Sequence, residues 1–327
     1  MGYGRLWRAI VRARRSLSTG AQRRRAHASP DRTVTATTTP PETEDALFVS
    51  EVFTSIQGEG PFTGRPSVFL RLGRCNLECA WCDTKYTWLF GEPQRERVRQ
   101  RVQQSADVSA TVQRDWVGER VPPAYAKNEQ LQRVPLSRLQ QQLSQAIQGD
   151  GGVPARALVI TGGEPLLHAK PLSRLLPRLF AERLTAVEVE TNGTLWPHGL
   201  ERWCAPPPMQ QQAPPQLHFN VSPKLANSAQ PEHRRIRLEV LRYFATQCAH
   251  GSIFKFVVES ERDLHEVNRL VEAVGVDASR VWLMPQGTQA EELARAARER
   301  IIPWCLQHGY RYSHRVQVAV WGDCRGV

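Results

Sequence analysis

The sequence predicts an α/β protein built on a mainly parallel sheet. Short runs of β-branched and apolar residues recur along the chain, and helix-like segments lie between several of them. Strands that alternate with helices favour either an open doubly wound sheet or a full or partial barrel. In both architectures, reactive groups collect where the parallel strands end. The predicted strands are 48–56, 67–72, 157–161, 186–190, 217–221, 253–258, 281–284 and 316–321, and the predicted helices are 136–148, 171–183, 234–248, 261–274 and 290–308.

Length and composition limit the class of protein. The chain has 327 residues, of which 41% are hydrophobic and 23% charged, so wholesale disorder and a fibrous repeat are excluded. No stretch approaches the ~20 apolar residues that cross a bilayer, so we expect no membrane span. Segment 92–133 is polar and weakly periodic, and segment 205–216 is rich in proline and glutamine. We expect both to be surface insertions in one domain that covers 42–327.

The basic charge of the chain is concentrated at its N-terminus. Residues 1–41 contain nine arginines and one aspartate, which account for +8 of the net charge of +11. An arginine-rich, acid-poor segment with Ser and Thr and scattered apolar residues is typical of an organellar transit peptide, for a mitochondrion or a plastid. The alternative is a disordered basic tail that contacts RNA or lipid. If the leader is not a targeting signal, we expect a cytoplasmic protein.

Three closely spaced cysteines predict a metal centre. Cys75, Cys79 and Cys82 follow a predicted strand directly, so they lie on a loop at its carboxyl end. A disulfide would pair two of these thiols and leave the third unused, so metal is the better interpretation. A zinc site needs a fourth ligand, and the other four cysteines could supply it. An iron–sulfur cluster held by three cysteines instead keeps one iron open for a small molecule. The other cysteines are otherwise expected to be buried or incidental thiols: Cys204, Cys248, Cys305 and Cys324.

A glycine-rich turn supports the second interpretation. Residues 161–165 read Thr-Gly-Gly-Glu-Pro between a predicted strand and a helical segment, and glycines there allow close backbone approach to a ligand. Alone, this is an ordinary strand-to-helix turn. Together with Cys-x3-Cys-x2-Cys it resembles the radical S-adenosylmethionine (SAM) enzymes. In those enzymes three cysteines hold a [4Fe-4S] cluster, and SAM binds the open iron.

Further motifs resemble one family, the 7-carboxy-7-deazaguanine synthases of queuosine-precursor biosynthesis. They are Glu-Val-Phe-Thr-Ser-Ile-Gln-Gly-Glu-Gly at 51–60, Gly-Arg-Pro-Ser-Val-Phe-Leu-Arg at 64–71, Cys-Asp-Thr at 82–84, Glu-Thr-Asn-Gly-Thr at 190–194, Val-Ser-Pro-Lys at 221–224, Leu-Met-Pro-Gln-Gly at 283–287 and the terminal 321–327. The resemblance covers 51–327 and omits the leader and both insertions. It implies a partial (β/α) barrel of the radical SAM type. It also implies a lyase that converts 6-carboxy-5,6,7,8-tetrahydropterin into 7-carboxy-7-deazaguanine and ammonia by radical ring contraction.

The resemblance assigns residues to three groups. Substrate contacts would come from the strand ends and the chain terminus, with Glu59 as a further partner, and an arginine would grip the pterin carboxylate by paired hydrogen bonds. SAM contacts would come from four loops, and the hydroxyl of Thr84 would bind Mg²⁺, which prefers oxygen ligands. The substrate residues are Ile56, Gln57, Gly58, Arg71, Thr161 and Val327, and the SAM residues are Gly163, Glu190, Ser222, Pro223, Lys224, Met284, Pro285, Gln286 and Gly287.

The expected partners are the pterin substrate, an electron donor such as flavodoxin or ferredoxin, and a second copy of the chain in a homodimer. Two other functions compete. Another radical SAM enzyme, such as a glycyl-radical activase, would share the cysteines and the Gly-Gly-Glu turn but has no evident need for 51–60 or Cys-Asp-Thr. A zinc-binding RNA-binding protein would use the basic leader, but residues 42–327 carry only about +3 and resemble no RNA-binding fold, so we expect no nucleic acid partner.

Overall fold

A sheet of nine described strands forms the frame of the domain. The computed structural model describes residues 45–118, 121–149, 155–181, 184–204 and 216–327. The predicted leader lies outside these residues, as does the 205–216 insertion except for Gln216. The strand order is β3-β1-β2-β4-β5-β6-β7-β8-β9. The strands are β1 Ala46–Ile56, β2 Pro66–Leu72, β3 Gln132–Pro135, β4 Ala157–Gly162, β5 Ala186–Thr191, β6 Gln216–Val221, β7 Ser252–Val258, β8 Val281–Pro285 and β9 Arg311–Tyr312.

The sheet curls into a partial barrel. From β2 through β4 to β9 each strand is parallel to its neighbour, while β1 runs antiparallel to both β2 and β3. The loop after β1 nevertheless meets the segment after β9: the Gly60 amide donates to Ser313 Oγ at 2.9 Å, and the Val316 amide donates to the Gly58 carbonyl at 3.0 Å. Loops rather than paired strands therefore close the barrel, which confirms the predicted architecture.

Helices cover the outer face of the sheet. Alternate strand residues such as Leu158 and Ile160 pack outward against leucines of α4 and α5, while Val159 and Thr161 face the interior. None of the helices in the described part of the chain is long and apolar enough to cross a membrane. The helices are α1 Glu92–Gln104, α2 Ala110–Val117, α3 Lys127–Gln130, α4 Leu136–Gln148, α5 Ala169–Ala181, α6 Glu232–Arg235, α7 Leu238–Thr246, α8 Glu261–Val274, α9 Ala290–Ala296, α10 Ile302–His308 and α11 Val316–Trp321, with a π-helical segment Ala297–Ile301 between α9 and α10.

Most predicted elements are present, but one has the wrong type. Segment 316–321 is helix α11 rather than a strand. Its β-branched alternation suggests a half-buried strand, yet only Val318 is buried. The segment follows β9 at the sheet edge and turns across the cavity described below, where no strand is available to pair with it. Predicted helix 234–248 is interrupted at Ile236, and the short edge strands β3 and β9 were not predicted.

The sequence suggested that segment 92–133 is a surface insertion, but part of it packs into the fold. Helices α1 and α2 bury Val98, Val102 and Trp116 in a second apolar cluster. This cluster includes Trp88 and Leu89, which belong to the loop that follows β2. Because α1 contributes only two buried positions among four arginines, its periodicity was too weak to predict the packing.

The prediction that the four remaining cysteines are thiols is wrong for two of them. Cys204 and Cys248 form a disulfide across 44 residues of sequence. The bond joins the segment after β5 to the end of α7, a proximity that sequence spacing cannot show. Cys305 is a buried thiol and Cys324 an exposed one.

Candidate active site

One cavity of about 570 Å³ lies at the carboxyl edge of the parallel strands. Its walls come from the loops after β2, β4, β5, β6 and β8, from the loop after β1 and from the chain terminus. The edge of the sheet where sequence reasoning placed the reactive groups is therefore where they are found.

The three cysteines of the β2 loop line one end of this cavity. Burial raises the pKa of Cys75, and the neighbouring Cys79 raises it further. Burial also raises the pKa of Cys79 to about 12, against the opposing effect of Lys224. The Leu77 amide and the Trp88 indole N–H donate to the sulfurs of Cys75 and Cys82 at 3.4 and 3.3 Å. Such N–H···S bonds stabilise thiolates bound to iron.

The donor set fits an iron–sulfur cluster better than zinc. Within the described ranges, no three His, Cys, Asp or Glu side chains converge on a position for a single metal ion. Cys204 and Cys248 are paired with each other, so neither is a free fourth ligand. Three soft thiol ligands on one cavity wall suit an iron–sulfur core with an open position.

The Gly-Gly turn packs against the cysteine loop itself. A Cβ at Gly163 would lie 1.8 Å from the Arg74 carbonyl oxygen, and one at Gly162 would lie 2.1 Å from the Leu72 carbonyl oxygen. Gly162 also has a positive φ of 125°. The Glu164 amide donates to the Arg74 carbonyl at 2.8 Å. Only glycine allows these two loops to lie this close, so the pair fixes where the cysteine loop begins.

The glutamate of this turn is a buried brace. Glu164 Oε1 accepts from the Leu166 amide and the Thr191 hydroxyl, and Oε2 accepts from the Asn192 amide at 2.7 Å. Burial raises the pKa of Glu164, and these bonds oppose that shift. The carboxylate therefore joins the ends of β4 and β5. The resemblance pointed to SAM at this motif, whereas the side chain itself is fully engaged within the protein.

Two amides extend this brace to the cysteine loop. Asn192 Nδ2 donates to Asn76 Oδ1 at 2.9 Å, and Asn76 Nδ2 donates to Thr194 Oγ1 at 2.8 Å. Asn76 directly follows Cys75. The Glu-Thr-Asn-Gly-Thr motif thus holds the cysteine loop through uncharged hydrogen bonds.

The predicted SAM residues border the same cavity as the cysteines, with two exceptions. Lys224 donates to Ser222 Oγ at 2.9 Å and lies 5.5 Å from the centre of the Trp81 ring. Pro223 and Pro285 do not border the cavity. Pro285 instead ends β8 opposite Val258. The predicted residues that do border it are Gly163, Glu190, Ser222, Lys224, Met284, Gln286 and Gly287.

All six predicted substrate residues line the same cavity: Ile56, Gln57, Gly58, Arg71, Thr161 and Val327. Arg71 donates through Nε to Glu51 at 2.6 Å, and no side chain or carbonyl in the described part of the chain accepts a hydrogen bond from its terminal nitrogens. The buried Gln57 amide donates to Glu188 Oε2 at 2.8 Å. A Cβ at Gly58 would collide with the Gln317 side chain, so this glycine lets the loop pass under α11.

Paired charges form another part of the cavity wall, called the charged end below: the predicted Glu59 and Glu190, together with Lys255 and Arg315, which the sequence did not predict. The buried Lys255 ammonium contacts Glu59 at 2.7 Å and Glu190 at 3.0 Å. Arg315 contacts Glu59 at 3.3 Å. Burial alone would raise the pKa of Glu59, but Lys255 and Arg315 lower it to about 2. A lysine inside the apolar run Ile-Phe-Lys-Phe-Val-Val was the available signal, because buried lysines need partners.

Glu188 is a further carboxyl that the sequence did not predict, and it lies beside the charged end. Glu188 is almost fully buried and accepts hydrogen bonds from Gln57 and from Asn220, the latter at 3.2 Å. Burial and the nearby Glu190 raise its pKa to about 7. Its Oε1 has no hydrogen-bond partner among the described residues. Both features favour a protonated, neutral side chain.

Thr84 lies at the junction of the two ends. Its hydroxyl is 3.5 Å from Cys82 Sγ and borders the cavity. The adjacent Asp83 pairs with Arg315 at 2.6 Å. Thr84 therefore lies between the cysteine loop and the Asp83–Arg315 pair.

A three-cysteine loop braced by a Gly-Gly turn at the open end of a partial (β/α) barrel defines a radical SAM enzyme. No family model matches the chain. A 7-carboxy-7-deazaguanine synthase from Pyrobaculum aerophilum is 31% identical over 85% of this chain and 96% of its own length. Another from Rhodopirellula baltica is 30% identical over 87% and 90%. The crystal structure of QueE from Escherichia coli matches 82% of this chain and 93% of that chain, with 25% identity and a TM-score of 0.50. The chain belongs to the 7-carboxy-7-deazaguanine synthase family.

Proposed function

We propose that this chain converts 6-carboxy-5,6,7,8-tetrahydropterin into 7-carboxy-7-deazaguanine and ammonia, as a radical SAM lyase of queuosine-precursor biosynthesis. One observation carries the proposal: a single cavity is lined both by the three thiols and by a paired group of arginine, lysine and carboxylate side chains. A reactive centre and a polar substrate would therefore share one space.

The cluster and SAM, when bound, would supply the reducing electron and the carbon radical that removes hydrogen from the pterin. Cys75, Cys79 and Cys82 would hold the cluster, and Lys224 with Ser222 would orient the polar groups of SAM. The chain's own task is then to place the substrate and to exclude side reactions.

The substrate end offers a matched set of polar groups. The terminal nitrogens of Arg71 would bind the pterin carboxylate by paired hydrogen bonds. Gln57 and Thr161 would meet polar atoms of the ring. Lys255 and Glu59 hold each other in fixed positions, so their remaining hydrogen-bonding capacity is oriented before the substrate arrives.

Magnesium would bind beside Thr84. Mg²⁺ prefers oxygen ligands and keeps several waters, so one hydroxyl plus substrate oxygens would suffice. The ion would stabilise negative charge on the substrate. A Thr84→Val variant should need more Mg²⁺ for half-maximal rate, and an unchanged Mg²⁺ dependence would contradict this assignment.

The direct experiment is an anaerobic assay of the reconstituted protein with the pterin, SAM, Mg²⁺ and a reductant. We expect 7-carboxy-7-deazaguanine by mass spectrometry, and an Arg71→Met variant should raise KM for the pterin. A protein with an intact cluster that cleaves SAM but never forms the deazaguanine would contradict the proposed substrate and favour another radical SAM reaction.

Three further expectations concern partners and location. An acidic electron carrier such as flavodoxin or ferredoxin would reduce the cluster, and a homodimer would appear in sedimentation at working concentration. Residues 1–41 would direct the chain to a mitochondrion or plastid. A fluorescent protein fused to these residues should enter that organelle, and uniform cytoplasmic fluorescence would count against targeting.

A further inference from the structure

The inserted helix α1 lies against the outer side of the cysteine loop. The inner side of that loop packs on the Gly-Gly turn and on Asn192. The outer side is covered by α1 and α2, whose buried residues form the second apolar cluster.

A buried carboxylate in the loop is the centre of these contacts. Glu78, which precedes Cys79, accepts from Arg97 at 2.8 Å and from Arg101 at 3.1 Å. These two arginines lie one turn apart on α1, so both reach the same carboxylate. The carboxylate is 9% exposed and is paired with both guanidinium groups.

Arg101 also binds the backbone on both sides of the loop. Its Nη2 donates to the Glu78 carbonyl at 3.2 Å, and its Nε donates to the Ala229 carbonyl at 3.1 Å. Gln230 donates to the same Glu78 carbonyl at 2.6 Å. One guanidinium thus joins three elements: α1, the cysteine loop and the segment after β6.

Apolar packing lies beside the better buried of the two pairs, Arg101 and Glu78, whose side chains are 20% and 9% exposed. The Trp116 indole donates to the Ala80 carbonyl at 2.8 Å, and its ring is buried against the loop. The Ala80 amide donates to the Ser228 carbonyl at 3.0 Å. An ion pair in such partly dry surroundings contributes more than an exposed pair does.

We propose that Arg97, Arg101 and Glu78 form a latch that fixes the cysteine loop in its cluster-binding shape and slows loss of the bound cluster. Its residues are positioning residues, because none of them borders the cavity. The inference rests on the proposed function only in that the three cysteines hold an iron–sulfur cluster. The latch orders the middle of the cysteine loop, where Cys79 lies. The contacts with the Gly-Gly turn and Asn192 hold the part of the loop around Arg74 and Asn76.

The test compares arginines on one helix. Arg101→Gln removes the latch. Arg99→Gln is the matched control, because among the described residues Arg99 pairs only with the exposed Glu96. Each protein is reconstituted anaerobically, and loss of the cluster to excess chelator is followed by visible absorbance. We expect loss about tenfold faster for Arg101→Gln and about threefold faster for Arg97→Gln, and no change for Arg99→Gln.

A second readout needs no cluster and no activity. In the apoprotein, backbone amides of residues 76–80 should exchange hydrogen about tenfold faster in Arg101→Gln than in Arg99→Gln. If no cluster forms even in the unaltered chain, the proposed function fails while this exchange measurement still tests the latch.

Equal chelator rates and equal exchange in the two variants would overturn the latch. If Arg101→Gln does not fold, the half-exposed Arg97→Gln and the charge-retaining Arg101→Lys replace it. Lysine offers one donor group in place of the planar fork, so we expect an intermediate rate. A chelator rate equal to that of the unaltered protein in both replacements would contradict the proposal.

Discussion

The two ends of the cavity are built from different interactions. At the cysteine end, backbone contacts and uncharged amides position the inner side of the loop, through Gly163, Asn76 and Asn192, and the charged latch lies outside it, away from the cavity. At the opposite end, charged groups are buried among themselves, with Lys255 between Glu59 and Glu190. The first arrangement depends on shape and the second on charge balance, so they should fail in different ways.

This difference matches what each end must hold. A metal cluster brings its own charge, and neutral contacts around its loop fix geometry without adding to that charge. A polar substrate needs oriented donors and acceptors, which a buried ion-pair network supplies at the cost of desolvation. Substitutions at the two ends should therefore differ in the size of their effect on stability and in its dependence on pH.

The largest effect is expected at the charged end. Lys255→Met would leave Glu59 and Glu190 buried near each other without their shared cation. Breaking a buried pair in this way costs about 4 kcal/mol of unfolding free energy. Denaturant unfolding at pH 7 measures it, with the exposed Lys170→Met as the control. A loss no larger than that of the control would show that the network is not stabilised by charge.

A smaller but still large effect is expected at the cysteine end. Gly163→Ala would place a Cβ 1.8 Å from the Arg74 carbonyl oxygen, and the loop must move. Overpacking of this kind costs about 3 kcal/mol. Iron content after reconstitution should fall with it. Gly91→Ala, where a Cβ has no contact closer than 3.6 Å, is the control and should keep its iron. Full iron content in Gly163→Ala would contradict the shape argument.

The charged end should also respond to pH. Because the pKa of Glu188 is raised to about 7, its protonated form stabilises the fold. That contribution is complete below its ordinary pKa and is lost as pH rises through 7. Glu188→Gln removes the titration. Between pH 5 and pH 8, the unfolding free energy of the unaltered protein should fall relative to the variant by about 2 kcal/mol. A pH-independent difference would show that Glu188 is ionised throughout.

The smallest effect is expected for a neutral amide. Asn76→Ala removes two uncharged hydrogen bonds, to Asn192 and Thr194, and should cost about 1 kcal/mol. The loss should be the same at pH 5 and pH 8. Thermal unfolding at the two pH values measures the loss. A pH-dependent loss would contradict the claim that uncharged contacts hold the inner side of the cysteine loop.

Much of this architecture was predictable because its causes are local. Strands such as β4 and β7 are continuous apolar runs, and α8 carries its own capping box at Ser260 and Asp263. The cysteine spacing and the Gly-Gly turn also lie within short windows. The cavity residues they predicted lie together, although Pro223 and Pro285 do not reach the cavity.

The remaining features depend on contacts between distant segments. The disulfide, the latch and the Lys255 network each join residues that no local pattern relates. Helix α11 was predicted as a strand because its valines alternate, and this local pattern carries no information on whether a neighbouring strand is present to pair with it. The 92–133 segment was predicted to be a surface insertion because it is rich in arginines. The sequence does not show that two of these arginines bind Glu78.

Electron paramagnetic resonance of the reduced protein, with and without SAM, tests the central claim most directly. The account predicts the signal of a [4Fe-4S] cluster that changes shape when SAM is added, because SAM would bind the iron that lacks a cysteine. Replacement of Cys75, Cys79 or Cys82 by alanine should abolish it. One zinc per chain with no iron signal, or an iron signal that SAM leaves unchanged, would contradict the account.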